Sequence, residues 1–198
     1  MRAFLGVHEP QAGVMHDSQL LHTPARVRAA DYVNLIVEFE IAVEIAEDLP
    51  AADAPFFRDR VAHAVGAVMP ALELADDRNA DYAQLARHPL ELIADNAWNQ
   101  GAVLGFPVNE WQRIDLAAVH GMASINGRPV GEGRGADALG HPLDALAWIA
   151  DHLAKNGRAL LRGDVVITGS LVTTKAVGAG DFVEFAVEGL GKVELRVD

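Results

Sequence analysis

Cysteine is absent from the 198 residues, which excludes disulfides and thiolate metal sites and fits a reducing, cytoplasmic setting. Lysine is almost absent, with Lys155, Lys175 and Lys192 the full set. Lys+Arg number 16 against 28 Asp+Glu, a net charge of −12, so no basic surface is expected for nucleic acid. Phosphate backbones demand clustered Lys and Arg. No apolar run reaches the roughly 18 residues that span a bilayer, and no basic, apolar leader opens the chain. Neither a membrane protein nor a secreted one is expected. An anionic substrate would need a bound cation or a local Arg to neutralise the site.

What remains describes an ordinary globular chain, 51% apolar and 22% charged, long enough for one domain over 1–198. Residues 1–31, broken by Gly6, Pro10, Gly13 and Pro24, read as an irregular arm. Leu35 to Ile45 is the clearest strand. Its odd positions, Leu35, Val37, Phe39, Ile41, Val43 and Ile45, are all apolar, and the other face carries Ile36, Glu38, Glu40, Ala42 and Glu44. Asp53 and Pro55 open a predicted helix whose apolar positions Phe57, Val61, Val65 and Val68 recur up to Pro70. Pro89–Ala97 and Pro142–Leu153 are further Pro-led helices, the second closed by Asn156-Gly157. Asn126-Gly127 marks a hairpin, and strands are predicted over 164–174, 181–187 and 192–197. Gly131-Glu132-Gly133-Arg134-Gly135 lacks a full phosphate-loop pattern and reads as a turn. Many strands, two or three helices and no βαβ rhythm predict an α+β fold, mixed and mostly antiparallel.

Glu38 and Glu40 are the first candidates for chemistry. Two apart on a strand, they leave the same face about 7 Å apart and can converge on an ion. On spacing alone a solvated outer face is the commoner case, and Glu44 on that face favours it. Glu73, in Ala71-Leu72-Glu73-Leu74, has apolar neighbours that imply partial burial and a need for a cation or for Arg78. Three carboxylates suit Mg²⁺ or Mn²⁺. The eight histidines are scattered, without a tight ligand pair. Ser170, after Val165-Val166-Ile167, sits either at a ligand-facing strand end or in a self-bonded turn.

In order along the chain stand Leu5-Gly6-Val7 with Glu9-Pro10 and Gly13, VEFEIAVEIAEDLP (37–50), PALELADDR (70–78), ADNAWNQGAVLG (94–105), GHPLDALAWIADHLA (140–154) and GDVVITGSLV (163–172) before AGD (179–181). This series resembles the 2-keto-4-pentenoate hydratase and 2-oxo-acid decarboxylase group of the fumarylacetoacetate hydrolase superfamily, over nearly the whole chain. The resemblance implies a mixed β-roll of the superfamily's C-terminal type, with Glu38, Glu40 and Glu73 as ligands of Mg²⁺ or Mn²⁺ and Asn96 and Ser170 near a 2-oxo acid substrate. It implies hydration of a 2-hydroxy-2,4-dienoate or 2-oxo-4-enoate in aromatic-compound catabolism, by a homo-oligomer. The family's N-terminal segment with its active-site lysine has no counterpart in the match, Gln11 replaces a common Asp, and Trp98 replaces the Ser of some hydratases. Asp95, Asp76 and His141 are the local candidates for proton transfer in place of that lysine. The alternatives are a 2-oxo-acid decarboxylase, a C–C hydrolase of the same superfamily, or a catalytically silent paralogue that binds a metal and a keto acid.

Overall fold

The computed structural model describes residues 10–198, so the Leu5–Glu9 motif and Gly6 lie outside the described residues. Strand β3 spans Leu35–Ile45, as its alternation requires. Around it stand β1 (Leu20–His22), β4 (Val65–Asp76), β5 (Asn99–Leu104) and β8 (Val165–Ala176), in the order β1-β5-β4-β3-β8. A second five-stranded sheet has the order β2-β10-β9-β6-β7, from β2 (Ala25–Val27), β6 (His120–Ile125), β7 (Arg128–Arg134), β9 (Phe182–Val187) and β10 (Gly191–Val197). Among the described residues only the pairs β1·β5 and β2·β10 are parallel. The α-helices among the described residues are α1 (Arg58–Ala64), α2 (Pro89–Ala94) and α3 (Pro142–Lys155). The mixed, mostly antiparallel α+β fold is therefore the observed one.

One apolar core lies between the two sheets. Val37, Phe39, Ile41 and Val43 enter it from β3, Val183, Phe185 and Val187 from β9, and Val193, Leu195 and Val197 from β10. Phe39 meets Phe185 edge to face, ring centroids 5.5 Å apart. Helix α3 adds Leu143, Leu146, Ala147 and Ala150 to the same core. Asn126 and Gly127, with φ of 54° and 72°, form the predicted hairpin turn between β6 and β7.

Four expectations need correction. Residues 10–31 are not irregular throughout, since β1 and β2 extend the two sheets; strands of three residues are too short to show a period. The 55–70 helix ends at Ala64, and β4 follows at once and continues through Pro70. Proline fits because Pro70 turns its carbonyl to the Gly105 N–H just past the end of β5. The Pro70 ring takes the place of its missing N–H on the same side and lies against Gly105, where an added Cβ would come within 2.7 Å of it. Glu73 therefore lies within a strand, not after a helix. Residues 131–134 belong to strand β7, not to a turn. A side chain at Gly133 would lie 2.0 Å from the Leu171 carbonyl oxygen, so this glycine serves close approach of β7 to β8. Ser170 likewise sits inside β8, not at a strand end.

Candidate metal centre

The β3–β4 register sets Glu38 directly opposite Glu73, with Glu40 two residues further along β3. All three side chains therefore leave the face of the sheet opposite the core. One oxygen from each lies within 4.8 Å of the others. Glu40 is 2% exposed, and Glu38 and Glu73 are half-buried.

Each carboxylate is aimed by one donor. Thr174 Oγ1–H donates to Glu38 Oε1 at 3.1 Å, and the Gly169 N–H donates to Glu40 Oε2 at 2.7 Å. Asn99 Nδ2–H donates to Glu73 Oε1 at 2.7 Å. Gly169 reaches Glu40 because the β3–β8 register slips around it, and its φ of 107° suits only glycine. Asn99 follows Asn96, Ala97 and Trp98, three successive residues in the left-handed region (φ 53°, 52° and 66°). Such strain clusters at functional sites.

Burial, then the charges of Glu73 and Glu38, pushes the Glu40 carboxyl well above its ordinary range. Burial and then Glu38 raise Glu73 to about 7, and burial raises Glu38. Arg78 pairs with Asp95, and no Lys or Arg pairs with the three glutamates among the described residues. Three converging carboxylates, one buried and two half-buried, are costly without a protein cation unless protonated or shared by an ion. An oxygen-only donor set suits hard Mg²⁺ or Mn²⁺.

The other site candidates lie in different surroundings. Asp76 accepts backbone N–H bonds from Val33, Asn34 and Arg78. Burial alone would raise its carboxyl, but these bonds and Arg78 hold it below its ordinary range. Asp95 is half-buried and paired with Arg78. His141 caps α3 by accepting the Leu143 N–H at 3.0 Å, on the core side of the sheet and so across it from the carboxylates. The Asn96 amide clasps both backbone groups of Val14 at 2.9 Å, and the Ser170 hydroxyl is engaged by Phe39 N–H and the Val172 carbonyl. The structure thus brings together the three glutamates and leaves the proton-transfer candidates in backbone, capping and ion-pair roles.

A cavity of about 700 Å³ opens beside Glu38, lined by Asn34 just before β3, by Ile36 and Glu38 of β3, and along β8 by residues 170–174 and Ala176. Asp77 and Tyr82 complete the lining. Sequence reading missed Thr174, Asn99, Asn34, Asp77 and Tyr82, whose proximity depends on register and loop path. Gly169 alone gave a signal, since a glycine inside a strand pattern marks a bulge.

Likeness to known proteins extends over nearly the whole chain. Residues 4–198 match the family model for the fumarylacetoacetate (FAA) hydrolase C-terminal region. The chain is 32% identical to 2-hydroxyhexa-2,4-dienoate hydratase of Comamonas testosteroni over 194 residues, 97% of this chain and 72% of that protein. It is 33% identical to 2-keto-4-pentenoate hydratase of Paraburkholderia xenovorans (strain LB400), covering 98% of this chain and 70% of that one. The solved structure of 4-oxalocrotonate decarboxylase from Pseudomonas putida G7, complexed with magnesium and adipate, superposes with a TM-score of 0.90 at 27% identity. That match covers 100% of this chain and 73% of the decarboxylase. A likeness this long, in sequence and in backbone alike, leaves one conclusion: the chain belongs to the fumarylacetoacetate hydrolase C-terminal family.

Proposed function

We propose that this protein is a divalent-metal-dependent hydratase adding water to a 2-hydroxy-2,4-dienoate or its 2-oxo-4-enoate form, in the breakdown of aromatic compounds. The observation that carries the reading is the convergence of Glu38, Glu40 and Glu73 within 4.8 Å, without a protein cation among the described residues. Hydratase relatives at 32% and 33% identity support the reaction class. The same triad would serve a 2-oxo-acid decarboxylase, which the solved relative supports.

On this reading Glu38, Glu40 and Glu73 hold Mg²⁺ or Mn²⁺, which when bound supplies Lewis acidity toward the substrate's 2-oxo and carboxylate oxygens. Thr174, Gly169 and Asn99 fix the three carboxylates before the ion arrives, so little reorganisation accompanies binding. The cavity continues from Glu38 past Ile36, giving the hydrocarbon part of the substrate an apolar floor. Tyr82 holds its phenolic proton on Oη toward Asp77 Oδ2 at 2.7 Å. Burial, then that bond, raises the phenol above its ordinary value, so the proton stays there at neutral pH.

Phe57, Leu90 and Phe106 are 69%, 77% and 71% exposed, which supports a homo-oligomer. No helix among the described residues is long and apolar enough to cross a membrane. The absence of cysteine supports a cytoplasmic setting.

The test is turnover of 2-hydroxypenta-2,4-dienoate followed by its ultraviolet absorbance. Loss of the dienoate should require Mn²⁺ or Mg²⁺, stop with chelator, and fall by about 10³ or more in Glu38→Gln or Glu73→Gln. Undiminished turnover in chelator would refute the reading.

A further inference from the structure

The cavity beside Glu38 runs in one direction only. On this side it is lined by Glu38 and Ile36 of β3 and by Asn34 just before the strand, and neither Glu40 nor Ala42 takes part. A substrate anchored by its acid head at the three glutamates therefore extends toward Asn34, with four residues of chain, at most about 13 Å, available to it. Ile36, Leu171, Val172 and Ala176 make the middle of this path apolar. At its far end stands Asp77, which is 4% exposed. Its Oδ1 accepts Asn34 Nδ2–H at 2.7 Å and the Asn79 N–H at 2.9 Å, and its Oδ2 accepts the Tyr82 hydroxyl at 2.7 Å. These donors are neutral. No Lys or Arg lines the cavity among the described residues, and Arg78, the adjacent cation, is paired with Asp95.

A buried carboxylate satisfied by neutral hydrogen bonds keeps its charge unbalanced in the cavity. A second carboxylate on the substrate would enter the same cavity as that charge, in a medium of reduced dielectric where like charges repel strongly. A neutral end, alkyl or hydroxyl, meets no such penalty. We infer that Asp77, held in place by Asn34 and Tyr82, is the specificity-determining residue that restricts this site to 2-oxo acids with a single carboxylate and a neutral distal end. The inference rests on the metal-anchored reading above and deepens it. It separates a hydratase of mono-acids from a decarboxylase of di-acids, which the three glutamates alone do not.

The test pairs 2-oxopentanoate with 2-oxoglutarate, equal in carbon number and differing by the second carboxylate. Their binding to the Mn²⁺-loaded chain is measured by calorimetry. The wild type binds 2-oxopentanoate about tenfold or more tightly than 2-oxoglutarate, the discrimination a like charge supplies at this range. Asp77→Asn narrows the ratio to about threefold or less by improving 2-oxoglutarate, and Tyr82→Phe, which leaves the charge, keeps the preference. Equal or tighter binding of 2-oxoglutarate by the wild type would overturn the inference, with no variant needed. So would an unchanged ratio in folded Asp77→Asn, or loss of preference in folded Tyr82→Phe. If the chain binds Mn²⁺ but neither acid, the 2-oxo-acid reading itself fails; if both acids bind alike, only the role of Asp77 fails.

Discussion

On β3, Val37, Phe39, Ile41 and Val43 are fully buried in a core closed by the second sheet and α3. On the other face of the same strand stand Ile36, Glu38, Glu40 and Ala42, with Glu73 and Ala71 across from them on β4. The first face has large interlocking side chains and no charge. The second has three carboxylates among alanines, with a cavity beside them. Strand period two lets one backbone serve both ends. The rigid apolar face fixes the register, and the register brings the carboxylates together. Stability and binding should therefore separate cleanly by parity of position along β3.

The largest expected effect breaks the apolar face. Phe39→Ala removes the partner of Phe185 and should cost about 3–5 kcal/mol in urea unfolding. The opposite sign is expected at the next residue along the strand, on the polar face. Glu40→Gln removes a buried like charge and should stabilise the metal-free chain at pH 8 by about 1–3 kcal/mol while abolishing Mn²⁺ binding. Unfolding midpoints with and without Mn²⁺ check both.

The pH dependence sharpens the same contrast. Glu73 rises from the ordinary 4.5 to about 7 in the folded, metal-free chain, through burial first and Glu38 second. Its protonated form is thus favoured by folding. Stability from this group is present below pH 4.5 and lost as pH rises toward about 7. Mn²⁺ competes with that proton, so its affinity should climb over the same window. Denaturant titrations at pH 5, 6, 7 and 8, with chelator and with Mn²⁺, should diverge as pH rises; parallel curves would remove Glu73 from the site. A smaller effect is expected at Gly169→Ala. Forcing a side chain to φ 107° should cost about 1–2 kcal/mol and weaken Mn²⁺ binding through the misplaced N–H on Glu40.

The legible parts of this molecule were those written in local period. Leu35–Ile45 showed its strand because every odd position is apolar, and Pro142 to Gly157 showed both ends of α3. β4 was not legible, since Val61, Val65 and Val68 carry a helical spacing across a helix–strand junction and Pro70 imitates a stop. What placed Pro70 in a strand is the end of β5, a tertiary fact. The candidate site divides in the same way. Glu38 and Glu40 are a local pair, but their union with Glu73 depends on antiparallel register and gained support only from family resemblance. Asp77, Asn34 and Tyr82 meet through loop path and hydrogen bonds, for which spacing offers no sign.

The most direct measurement is a Mn²⁺ titration followed by electron paramagnetic resonance on the wild type and four isosteric variants. Glu44 shares the polar face of β3 but is exposed and outside the triad, which makes it the internal control. The account predicts a Mn²⁺ site in the wild type and in Glu44→Gln, with binding lost in Glu38→Gln, Glu40→Gln and Glu73→Gln. Binding unaffected by the three triad substitutions, or damaged as much by Glu44→Gln, would contradict it.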